Sequence, residues 1–167
     1  MKLNFLIFAF LLAASTLFSQ TYQTAVGLRL GNEWGITAKQ HVGNNYVLEF
    51  LAITQKSELE NKLVLNIERH FNLIGRRFNA YAGAGIHKGF SRNIIVGNTS
   101  SYGVGGIAGL EFNSGLFNFS ADFRPQINLN KATTPAFYNS YSGLSVRYIL
   151  IKRDSKFQEW KKKRRSK

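Results

Sequence analysis

The amino-acid sequence predicts an all-β chain: eight antiparallel strands closed into an up-and-down transmembrane barrel. Three observations predict it. Apolar and polar residues alternate with a period of two over eight segments between residues 25 and 151. The connectors alternate between short turns and longer polar links, as expected of a barrel with tight turns at one end. Seven aromatics, Tyr22, Tyr46, Phe71, Phe78, Phe112, Phe117 and Tyr148, fall at the ends of alternating strands. All seven belong to the rim that carries both chain ends, where aromatic rings favour a membrane–water interface.

Each strand is justified by its alternation. Strand one, near 25–30, sets Val26, Leu28 and Leu30 against Gly27 and Arg29. Strand two, near 34–42, sets Trp34, Ile36, Ala38 and Val42 against Thr37, Lys39 and His41. In strand three, near 46–53, Tyr46, Leu48, Phe50 and Ala52 oppose Glu49. In strand four, near 62–71, Leu63, Leu65, Ile67 and Phe71 oppose Asn66, Glu68 and His70. Strand five, near 78–90, carries Phe78, Ala80, Ala82, Ala84 and Ile86 on one face and Asn79, Tyr81, Gly83, Gly85 and His87 on the other. Strand six, near 102–112, divides Tyr102, Val104, Ala108, Leu110 and Phe112 from Gly103, Gly105, Gly109 and Glu111. Strand seven, near 117–126, divides Phe117, Phe119, Ala121 and Phe123 from Asn118, Ser120, Asp122 and Arg124. Strand eight, near 141–151, divides Leu144, Val146, Tyr148 and Leu150 from Ser145 and Arg147.

The charges decide which face is inside. One face is nearly free of charge, with Arg69 and Lys88 as exceptions near the rims. The other carries Arg29, Lys39, Arg124 and Arg147 against Glu49, Glu68, Glu111 and Asp122. An Arg or Lys facing mid-bilayer would cost about 2–4 kcal/mol. The charged face therefore lines the lumen, where four cations can pair with four anions. A soluble barrel with an apolar lumen is the alternative. Eight strands leave an interior that side chains can fill, so a plugged lumen is expected. Pro125 lacks an amide donor and is expected at a bulge. Gly103, Gly105, Gly106 and Gly109 are expected to make room for Arg and Tyr side chains across the lumen.

The domain division follows. Residues 1–20 read as a signal peptide: Lys2 opens it, an apolar stretch runs from Leu3 to Ala14, and small or polar residues follow. Residues 21–151 form the barrel, and 152–167 a basic periplasmic tail. The net charge is +13, of which the tail holds +7 from nine basic and two acidic residues. No cysteine is present to support a disulfide framework.

On this pattern, 21–151 resembles the small eight-stranded outer-membrane barrels, the OmpA transmembrane domain and OmpX-like proteins, in a form common in Bacteroidota. Gly143, Val146 and Tyr148 resemble the signal read by the barrel-assembly machinery. The resemblance implies a Gram-negative cell outer membrane, short periplasmic turns and both termini in the periplasm. Lipid A-modifying enzymes share this architecture. Those of the deacylase type carry a His-x-Ser pair, whereas His87 is followed by Lys88-Gly89. Catalytic, cofactor and metal residues are therefore assigned to none.

The expected function is a non-enzymatic structural or interaction subunit. The alternatives are a lipid A acyl hydrolase or transferase with His87 as base, and a narrow channel. Trp34, Lys88, Phe90 and Arg92 are expected to meet lipopolysaccharide at the outer rim. The tail, with Lys161, Lys162, Lys163, Arg164 and Arg165, reads as a solvated end, as an interfacial segment on anionic lipid, or as a dock for an acidic periplasmic or outer-membrane protein partner. Nucleic acid suits its charge but not this compartment. The sequence does not identify a ligand, a partner or an oligomeric state.

Overall fold

A computed structural model describes residues 22–43, 45–55, 60–74, 77–93, 97–130 and 137–152, with side chains at all of these except 55, 60 and 91–99. The signal segment and the tail from 153 onward lie outside the described residues. The strands are β1 (Tyr22–Gly31), β2 (Glu33–His41), β3 (Tyr46–Gln55), β4 (Glu60–Ile74), β5 (Phe78–Asn93), β6 (Gly97–Ser114), β7 (Phe117–Asn128) and β8 (Tyr138–Lys152). Each pairs antiparallel with the next, and β1 pairs with β8, so the sheet closes without an edge. Closure is what lipid demands, because no water is available there to satisfy an open ladder.

The barrel is inside-out. Its largest fully buried side chains include Arg29, Arg124, Arg147, Lys39, Glu49, Glu68 and Glu111. The exposed side chains include Leu28, Ile36, Phe50, Leu65, Ile86, Leu110, Phe123 and Leu144. Apolar clusters do occur in the lumen, but they are small: Leu51, Ile53 and Val64 form one, and Tyr22, Ala25 and Ile149 another.

Aromatics mark the height of the apolar band. Tyr46, Phe71, Phe112, Phe117 and Tyr148 are exposed at the rim with the chain ends, and Phe78 is half-buried there. Tyr22 corrects the expected girdle of seven. Register shifts between Tyr22, Thr24 and Ala25 insert a bulge in the β1–β8 ladder. The bulge reverses the alternation and turns Tyr22 into the lumen, where it is fully buried. Ten residues beyond Phe78, Phe112 and Tyr148 along their strands stand Lys88, Tyr102 and Tyr138. Ten residues give roughly 33 Å of strand, or about 25 Å of height at a barrel's usual tilt. That is the thickness of the apolar band, so these residues lie at its second boundary. Trp34, Phe90 and Phe137 are exposed near the same end.

The polar link expected over 91–101 is largely strand among its described residues: β5 and β6 remain paired out to Asn93 opposite Gly97, and β4 reaches Glu60 opposite Ser91 of β5. Above the apolar band both sheet faces meet water, so a ladder can continue without alternation. Pro125 causes no bulge. The β6–β7 register is the same on both sides of it, Gly105 opposite Gln126 and Ala108 opposite Phe123. The ladder omits the pairs between, as expected where proline offers no donor. The turn between β6 and β7 places Gly115 at φ 62°, a left-handed conformation that glycine adopts without strain.

Candidate functional site

The lumen is a polar core. Among the described residues five basic side chains are buried in it (Arg29, Lys39, Lys62, Arg124, Arg147) and five acidic ones (Glu33, Glu49, Glu68, Glu111, Asp122). Period-two alternation delivers them, since inward positions recur at every second residue of each strand. Lys62 and Glu33 were absent from the expected set of eight. Glu33 opens β2 rather than ending a link, and Lys62 shares the inward face of β4 with Asn66 and Glu68. The count remains balanced, five against five.

Glu49 is the hub at mid-height. Its Oε1 receives Arg147 at 2.6 Å, and its Oε2 receives Arg124 at 2.9 Å. The Thr37 hydroxyl and the Asn66 amide also donate to this carboxylate, each at 3.1 Å. Arg147 extends the network by donating to Thr37 Oγ1, Asn118 Oδ1 and Ser120 Oγ. These contacts join strands on opposite sides of the barrel.

Toward the chain-end rim, Lys39 Nζ lies 2.7 Å from Glu68, 3.6 Å from Glu111, and 3.9 Å from the centre of the Tyr81 ring. His70 Nε2 lies 2.9 Å from the same Glu68 oxygen. The Tyr22 hydroxyl donates to Glu111 at 2.9 Å. The rings of Tyr22, His41, His70 and Tyr81 follow one another across the lumen with centroids 5.0, 6.0 and 5.0 Å apart. Together they form a row of contacting rings at this level.

Toward the other end, Asp122 accepts from Arg29 and Arg124 and from the Tyr81 hydroxyl. Lys62 donates to the Tyr141 hydroxyl at 2.8 Å. Two glycines admit these bulky groups. A Cβ at Gly109 would stand 2.7 Å from the Tyr81 ring, and one at Gly143 would stand 2.9 Å from the Arg29 guanidinium. The expected roles of the other glycines need correction: a Cβ at Gly103 would meet His87, one at Gly105 would meet Gln126, and one at Gly106 would meet Pro125 at 3.5 Å, with no Arg or Tyr among these neighbours.

His87 is buried and hydrogen-bonded to Asn128 Oδ1 at 2.9 Å. An amide partner does not build the carboxylate-oriented base of a nucleophilic site. Trp34, Lys88 and Phe90 are exposed, with the Lys88 ammonium 5.3 Å from the Phe90 ring centre. Arg92 belongs to β5, and its side chain lies outside the described residues, as do Lys161, Lys162, Lys163, Arg164 and Arg165.

A closed eight-stranded antiparallel sheet, apolar outside and ion-paired inside, defines a transmembrane β-barrel. Comparison with solved structures places its fold among the small outer-membrane barrels. The N-terminal β-barrel domain of Pseudomonas aeruginosa OprF superposes with a TM-score of 0.63 at 18% identity, covering 77% of this chain and 98% of that one. Neisserial surface protein A, NspA, matches with a TM-score of 0.50 at 12% identity, covering 78% of this chain and 95% of that one. No protein-family model matches the sequence, and no curated protein does.

Proposed function

We propose that the chain is a non-enzymatic integral protein of the outer membrane, serving as a structural or interaction subunit with a sealed lumen. The observation that carries this reading is the balanced set of ten buried charges, five of each sign. A water-filled passage would have no need of such pairing. The Tyr22–His41–His70–Tyr81 row supports it, because four buried rings in contact occupy lumen space at one level. The lipid A-modifying alternative is disfavoured by the sequence at His87, where Lys88-Gly89 follows and no His-x-Ser pair is formed.

In this reading the rim with the chain ends and the short turns faces the periplasm, and the second aromatic boundary faces outward. The basic tail is then free to meet an acidic protein or the inner leaflet from the periplasmic side. Three measurements test the proposal. Purified protein in a planar bilayer should show no steady conductance, and in cells the protein should fractionate with the outer membrane and run heat-modifiably on gels. A stable open level would favour the channel. Release by osmotic shock without detergent would overturn membrane integration. Removing 153–167 should leave the heat-modifiable form intact while making association with acidic partners or anionic vesicles weaker, and the lost component should be the salt-sensitive one. Association that is unaltered by the truncation would show the tail to be a solvated end.

A further inference from the structure

We propose that the outer surface of the barrel carries a docking groove for one lipid A-type molecule, with an acyl chain against β4, β5 and β6 and a phosphate on Lys88. The inference rests on the membrane orientation proposed above. The groove encloses about 430 Å³. Phe50, Leu65, Ile86 and Val104 give it apolar walls, and Lys88 and Tyr102, with Leu63 and Leu129 level beside them, stand at its loop-side end.

Register puts these two polar groups together. Lys88 is the cross-strand partner of Tyr102 on β6 and of Leu63 on β4. Both lie at the height where the apolar band ends, ten residues above Phe78 and Phe112. The groove therefore has the polarity of a lipid, apolar below and cationic at the level of the head groups. An ammonium and a phenolic hydroxyl side by side offer charge and a donor to one phosphate.

Charge complementarity selects an anion. All five acidic residues whose side chains are described face the lumen, so among the described side chains no carboxylate stands beside Lys88 on the outer face. Its neighbour is the Phe90 ring, which leaves the ammonium free to carry a phosphate on its open side. A phosphorylated lipid of the outer leaflet meets all three requirements: acyl chain, negative charge, and head group at the loop rim.

The test uses the full-length folded protein in detergent, stripped of native lipid. Diphosphorylated lipid A, its dephosphorylated form and phosphatidylglycerol are added separately, and bound lipid is counted by native mass spectrometry. One lipid A should be retained per barrel. Retention should fall by about tenfold or more on dephosphorylation or with Lys88→Glu, and should return with Lys88→Arg. Val104→Trp, which fills the groove, should reduce retention while the barrel stays heat-modifiable. Arg69→Glu, at the opposite rim, should change nothing. Undiminished retention by Lys88→Glu would overturn the proposal, and equal retention of phosphatidylglycerol would overturn the choice of lipid A. A failure of the underlying barrel reading would show separately, as absence of the heat-modifiable form in the wild-type protein itself.

Discussion

At mid-lumen, Glu49 accepts from two arginines, a threonine and an asparagine, all within 3.1 Å. At the loop-side mouth, Glu33 is equally buried, yet its nearest cation is Arg29 Nε at 3.9 Å and neither of its oxygens has a hydrogen-bond partner. The two carboxylates share a residue type and a burial but not an environment. The difference teaches that burial alone does not make a charge structural. A buried ion pair offsets its desolvation only where geometry and extra hydrogen bonds satisfy the whole group. Arg29 shows the same division within one side chain, since Nη1 meets Asp122 at 2.8 Å while Nε and Nη2 have no hydrogen-bond partner.

The largest expected effect lies at the hub. Glu49→Ala leaves Arg124 and Arg147 facing each other in the lumen, and should destabilise the barrel by about 3–5 kcal/mol. Urea unfolding in lipid vesicles, read by tryptophan fluorescence and gel shift, measures it. An unchanged midpoint would remove the distinction between the two regions.

An intermediate effect is expected where the network meets packing. Gly109→Val puts a Cβ 2.5 Å from the Ala121 carbonyl oxygen and 2.7 Å from the Tyr81 ring and hydroxyl. Tyr81 must move, and its bond to Asp122 is strained or lost. The expected cost is about 1–3 kcal/mol in the same assay. Addition of Tyr81→Ala should recover part of it, and a double variant as unstable as the sum of the two would contradict this account.

The smallest effect is expected at the mouth. Glu33→Gln removes a charge that has no hydrogen bond to lose, and should shift stability by less than about 1 kcal/mol, in either direction. A loss comparable to that of Glu49→Ala would show that the mouth is as tightly bonded as the middle.

The sequence reveals these two regions unequally. The hub is legible because Arg124 and Arg147 lie in strands where alternation is clean, and Glu49, the one charge of an otherwise apolar stretch, falls opposite Tyr46, Leu48, Phe50 and Ala52. Their mutual pairing also follows from charge balance. Glu33 escapes because it sits one residue from a sharp link, where a strand start and a turn look alike. Tyr22 escapes for a different reason: a bulge shifts parity without any residue type announcing it. The extra length of β4 to β6 is hidden because, once both faces are wet, no periodic signal remains. Tyr138, at the second boundary, precedes the strand expected near 141–151 for the same reason.

The most direct test of the central claim, that the middle of the lumen is a coupled ion-pair core and its mouth is not, is a pair of double-mutant cycles in lipid vesicles. One cycle joins Glu49→Ala with Arg147→Ala, and the other joins Glu33→Ala with Arg29→Ala. The account predicts a coupling of about 2–3 kcal/mol for the first and under about 0.5 kcal/mol for the second. Equal couplings, or a larger one at the mouth, would contradict it.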